Sequence, residues 1–76
     1  LYQPVLLEGL NRYEHRPIFV QKILQYIFYL CRSFPMKDLN PLLDAILHVM
    51  SLHPHHQPVQ MASSACLFHL TRAPIN

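Results

Sequence analysis

Residues 41–70 read PLLDAILHVMSLHPHHQPVQMASSACLFHL, and this stretch decides the fold. Leu42, Leu43, Ile46, Val49 and Met50 recur at three- and four-residue spacing, which lays them along one side of a helix. Asn40, just ahead, is a good N-cap, because its side-chain oxygen can take an orphan backbone N–H of the first turn. His53-Pro54-His55-His56 then breaks the pattern with a polar turn, and a second apolar run opens at Pro58. A strand reading is weak, because β-branched residues are few, no alternation holds beyond a few residues and no Gly-based hairpin turn exists. The stretch therefore predicts two helices, about Pro41 to Leu52 and about Pro58 to Arg72.

The same punctuation extends toward the start of the chain. A proline inside a helix costs ~3 kcal/mol, so seven of them in 76 residues are tolerable only at helix ends. Pro4, Pro17, Pro41 and Pro58 each precede an apolar run with helical spacing, where the missing N–H had no partner anyway. Pro35, Pro54 and Pro74 each follow such a run, where helices stop. Two further helices result. One runs from about Pro4 to Tyr13, with Leu6, Leu7, Leu10 and Tyr13 as its apolar stripe, and the other from about Pro17 to Ser33. The fold class is all-α, with four main helices.

The spacing repeats. Pro4 to Pro41 is 37 residues and Pro17 to Pro58 is 41. The longer helices open alike, Pro17-Ile-Phe-Val20-Gln21 against Pro58-Val59-Gln60, and end alike, Leu30-Cys31-Arg32 against Leu70-Thr71-Arg72. A short helix, a loop and a longer, more apolar helix thus occur twice, near the ~40–47-residue period of HEAT and armadillo arrays. Two approximate units follow, 1–36 and 37–76, in an α-solenoid whose units bury their apolar faces against one another. The longer helices are apolar nearly all round, as expected of helices touched on several sides. The bland alternative is two unrelated helical hairpins in one bundle.

Residues 41–71 resemble the armadillo pattern most closely. Leu42-Leu43 leads through the His/Pro loop into Ala62-Ser-Ser-Ala65-Cys66-Leu67-Phe68-His69-Leu70, similar to the A-x-x-A-L-x-N-L-like third helix of that family. Two positions depart from it: the glycine usual between the first two armadillo helices is missing, and His69 stands where asparagine is favoured. The short first helix is then lost, leaving a HEAT-like pair per unit.

Phe19-Val20-Gln21-Lys22, Tyr29-Leu30-Cys31-Arg32-Ser33 and Ala65-Cys66-Leu67-Phe68-His69-Leu70-Thr71-Arg72 carry a narrower resemblance, to the zyg-eleven/zer-one family of substrate receptors of cullin-two RING ubiquitin ligases. That resemblance implies a leucine-rich-repeat region followed by an armadillo-like array whose concave groove reads glycine-type N-terminal degrons. It is strongest to the start of the array, so the segment is expected to be mainly structural. Elongin and cullin would bind other parts of the parent chain, and no degron-pocket residue is carried over. The runner-up is a generic armadillo/HEAT adaptor in another intracellular assembly.

Composition bounds the rest. With 51% hydrophobic and 13% charged residues the chain is too apolar for a small solvated domain, so part of this surface is expected to meet a neighbour. Leu1 in place of an initiator methionine leads us to expect a piece of something longer. No secretory signal and no apolar run of ~20 residues is present. Cys31 and Cys66 lie in apolar helical segments without finger spacing, as small buried hydrophobes of a reducing compartment would. The expected location is cytoplasmic or nuclear.

Chemistry-bearing clusters are few. Net charge is +2 and scattered, too little for nucleic acid, and Tyr26, Phe28 and Tyr29 beside Arg32 are better read as packing than as a base-stacking surface. The three histidines of the 53–56 loop lack a partnering cysteine or acid, and a polar turn is preferred to a metal site. Ser63 and Ser64, flanked by alanines, suit close helix packing, and no nucleophile–base pair or phosphate-cradling glycine loop stands out. The expectation is no enzyme, no cofactor and no metal, but a binder of protein substrates or peptide degrons. In armadillo arrays the last helix of each unit lines the groove, and the position before its final leucine commonly meets ligand: here Tyr29 and His69. Gln25 and Arg32 share the face of Tyr29, and Arg72 is the matching neighbour of His69. Gln25, Tyr29, Arg32, His69 and Arg72 are the candidate binding stripe.

Overall fold

A computed structural model describes residues 3–72. Four helices follow in order: α1 (Gln3–Arg12), α2 (Pro17–Ser33), α3 (Leu39–Leu52) and α4 (Gln57–Thr71), with no strand among the described residues. The chain is all-α. Each helix lies within two residues of the bounds its prolines predict. Pro74, expected to follow the last helix, and the outer ends of the two expected units lie outside the described residues.

The start of α3 is the main correction. Asn40 is not its N-cap; the helix opens at Leu39 and Asp38 caps it, in the left-handed region at φ 50° and without a side-chain capping bond. Pro41 is therefore the third helical residue. It is tolerated there because the first four N–H groups of a helix have no intrahelical acceptor. Pro17 does stand at the very start of α2, and Pro58 is the second residue of α4. Tyr13 also departs from expectation: it lies exposed just past α1, edge-on to Phe19 with ring centroids 5.1 Å apart.

Each helix turns one stripe inward at helical spacing. Leu6 and Leu10 from α1, Val20, Leu24 and Ile27 from α2, Leu42, Ala45, Ile46 and Val49 from α3, and Val59, Cys66 and Leu70 from α4 form one core, with Ser63 fully buried among them. Burying a large aliphatic side chain is worth ~1.5–3 kcal/mol, so this cluster dominates stability. The outer sides of the longer helices are less covered than their composition suggested: Ile18, Phe19, Tyr26 and Tyr29 of α2 face solvent.

Which helices are neighbours matters more than their number. The most extensive contact is α2 with α4, followed by α3 with α4, α1 with α3 and α1 with α2. The two hairpins, α1–α2 and α3–α4, thus lie side by side in the same sense. Leu24 accepts a bond from Cys66 Sγ at 3.1 Å, and Phe28 meets His69, so α2 and α4 run parallel. Gln3 exchanges hydrogen bonds with the Lys37 backbone at one end of the α1–α3 pair. At the other end the His53 ring donates to the Glu14 carbonyl at 2.6 Å, and His48 and His15 flank the Glu14 carboxylate at 3.2 Å each. The turn after α1 is thereby stacked on the turn after α3.

Candidate functional site

Between the parallel α2 and α4 runs an open groove of about 460 Å³, lined by Gln25 and Phe28 on one side and Gln57, Pro58, Met61, Ala62 and Ala65 on the other. It exists because the small side chains of Ala62 and Ala65 leave the helices a shallow trough where larger residues would fill it. Its floor is apolar. Met61 stands 65% exposed at its edge.

At the C-terminal end of the groove the side chains are tied together. The Arg32 guanidinium lies 5.4 Å from the Phe28 ring centroid; Phe28 meets His69 edge-on at 4.9 Å; His69 meets Phe68 at 5.7 Å; and Arg72 lies 4.7 Å over Phe68. Two cations thus bracket three rings. A cation over an aromatic face gains ~0.5–1 kcal/mol at an exposed site, enough to bias the arginine rotamers toward one arrangement.

All five residues of the expected stripe are exposed. The structure brings Arg32, His69 and Arg72 into this one cluster, and Gln25 onto the groove wall. Tyr29, 63% exposed, stands four residues from Gln25 and one from Phe28, at the outer edge of the same side of α2. Phe28, Phe68 and Met61 were missed. Phe28 had a signal, since it lies three residues after Gln25 and four before Arg32 and so belongs to the same helical face. Met61 shows only once α2 and α4 are known to adjoin.

The histidine loop has structural employment. His56 is the N-cap of α4, its Nδ1 accepting the Val59 N–H at 3.2 Å, and His53 is bonded to the Glu14 carbonyl. Gln60 donates from its amide to the Met50 and His53 carbonyls at 2.9 and 3.0 Å, which closes the end of α3. Cys66 is fully buried, and that desolvation, with Cys31 nearby, pushes its thiol up to about 12. Cys31, only half-buried, is also raised by desolvation. Burial thus favours the neutral thiol at both positions, more strongly at Cys66.

No protein-family model matches the chain, and no solved structure matches it. Among characterised proteins it is similar to protein zer-1 homolog of Drosophila melanogaster, at 28% identity over 67 residues. The match takes in 88% of this chain and 8% of that protein, so the chain spans a small part of the relative's length. It is a short and distant likeness, in the direction of the zyg-eleven/zer-one resemblance.

Proposed function

We propose that this chain is a protein-binding segment of an armadillo/HEAT-like helical array in a substrate receptor of a cullin-RING ubiquitin ligase, and that it carries out no chemistry itself. The observation that carries the reading is the parallel stacking of α1 on α3 and of α2 on α4. In an up-down-up-down bundle the closest neighbours are sequential and antiparallel, and the first and third helices lie diagonally apart. In a solenoid each helical pair is translated onto the next, so equivalent helices touch and run parallel. The pairing of Leu24 with Cys66, 42 residues apart, matches the period of such units. The likeness to the zer-1 homolog supports the ligase half of the reading.

The role assigned is recognition of protein substrates or peptide degrons in ubiquitin-dependent degradation, in the cytoplasm or nucleus, with elongin and cullin bound by other parts of the parent chain. The exposed stripe Gln25, Tyr29, Arg32, His69 and Arg72 is the contact surface within this segment. Affinity purification of the natural protein that contains this chain tests the assignment. Co-purified elongins and cullin-two are the expected result; their absence from an intact, folded protein leaves the generic adaptor instead. Tyr29→Ala combined with His69→Ala tests the stripe, because unchanged substrate recovery by a folded double variant removes these residues from the interface.

A further inference from the structure

The acidic side chains of the chain are segregated, although the basic ones are scattered. Its four carboxylates, Glu8, Glu14, Asp38 and Asp44, lie in α1, in the turn after it, at the cap of α3 and in α3, whereas α2 and α4 carry none. Glu8 is paired with Arg12, and Glu14 is flanked by His15 and His48. Lys22, Arg32 and Arg72 are left on the α2–α4 side with no carboxylate partner among the described residues. We propose that the α2–α4 groove binds an acidic, apolar-anchored peptide segment of a partner protein. Its apolar side chains would lie over Phe28, Met61, Ala62 and Ala65, and its carboxylates against Arg32 and Arg72. This deepens the protein-binding reading above and rests on it for the premise that this side of the chain meets a partner.

Three features select this occupant. The floor is apolar, so the ligand must bring hydrophobic side chains as well as charge. The cations at its C-terminal end, Arg32 and Arg72, have no carboxylate partner among the described residues, so the ligand charges that meet them are negative. Arg32 and Arg72 lie over ring faces, which leaves their N–H edges free for the bidentate geometry that carboxylates accept and reduces the entropy lost on binding. The length points to a peptide and not a single small acid. From Pro58 to Thr71 the helix rises roughly 20 Å at ~1.5 Å per residue, the span of about six extended residues. A nucleic acid would find an apolar floor and too few cations along its backbone.

Fluorescence anisotropy of the natural protein that contains this chain, with a labelled ten-residue peptide of alternating leucine and glutamate, tests the proposal. Controls are a leucine–lysine peptide, a serine–glutamate peptide and a single-stranded oligothymidine. The leucine–glutamate peptide is expected to bind about ten-fold more tightly than either control peptide, and to weaken as salt rises. Arg32→Gln with Arg72→Gln should abolish the charge preference, while Met61→Ser should weaken binding with helicity unchanged by circular dichroism. If the double variant loses helicity, Arg72→Gln alone decides. Equal affinity for the acidic and basic peptides, a preference that survives loss of the arginines, or equal binding of oligothymidine overturns it. Failure here leaves the ligase assignment standing, and failure to recover elongin and cullin leaves this groove unaffected, so the two are tested separately.

Discussion

Ser63 is fully buried and its hydroxyl has no hydrogen-bond partner among the described residues. A buried, unpaired hydroxyl costs ~1–3 kcal/mol, and serine is also a poorer helix former than alanine by a few tenths. Removing the oxygen leaves a void smaller than a methyl group. Ser63→Ala should therefore stabilise the chain by about 1 kcal/mol, read as a higher urea midpoint at unchanged slope; a lower midpoint would mean that the hydroxyl is satisfied after all. Cys66, one turn on, makes a second residue-scale case. Its thiol is raised to about 12 chiefly by desolvation, so the folded state favours the neutral form. The sign follows: its contribution is complete below the unfolded thiol's pKa and is lost as pH climbs toward 12, at no more than ~1.4 kcal/mol per pH unit. At pH 8 iodoacetamide should label Cys31 well before Cys66, and urea should equalise the two rates. Equal rates in the folded chain would contradict the burial of Cys66.

The junction of α3 and α4 shows how one element ends and the next begins. Gln60 satisfies two carbonyls at the end of α3 while His56 satisfies an N–H at the start of α4, so one short turn closes both helices with side chains. Gln60→Ala should cost about 1 kcal/mol, since the Met50 and His53 carbonyls lose the side-chain bonds but keep backbone donors in the His53 and His56 N–H groups. His56→Ala should cost about 1 kcal/mol, with His56→Asn restoring most of it as a good cap. Thermal melts of the three variants would test this, and equal losses for His56→Ala and His56→Asn would remove the capping role. The sequence made the helices and the polar turn after α3 legible because prolines mark the helix ends, but it misjudged the start of α3 and did not show the side-chain bonds that close this turn. Gln60 was visible only as half of a repeated Val-Gln pair; Gln21, its counterpart, makes no such bonds among the described residues. The αL cap at Asp38 was hidden by Pro41, which suits the third helical position as well as the first. The candidate stripe was legible as a helical face. The Arg–Phe–His–Phe–Arg cluster was not, because it depends on α2 and α4 lying parallel and adjacent, which no local pattern encodes.

At the scale of the molecule, size and surface disagree. The radius of gyration, 11.4 Å, is what a compact chain of this length should have. Yet Val5, Ile18, Phe19, Tyr26, Leu47, Met61 and Phe68 are exposed, spread over all four helices and not gathered into one groove. A two-hairpin stack has two open ends as well as a groove, and within a solenoid those ends meet further units. Without neighbours they remain wet, in a chain that already buries only ~60% of its unfolded surface. The isolated 76-residue chain should therefore melt with poor cooperativity, and its light-scattering mass should rise above 8.9 kDa with concentration. Ile18→Gln with Leu47→Gln, which touch exposed positions on opposite hairpins, should reduce the association without loss of helicity. The competing outcome is a sharp, concentration-independent melt from a clean monomer. That would mean the exposed residues need no partner, that the two hairpins complete their own core, and that the parallel stacking of α2 and α4 belongs to a self-sufficient domain and not to a repeat awaiting the next.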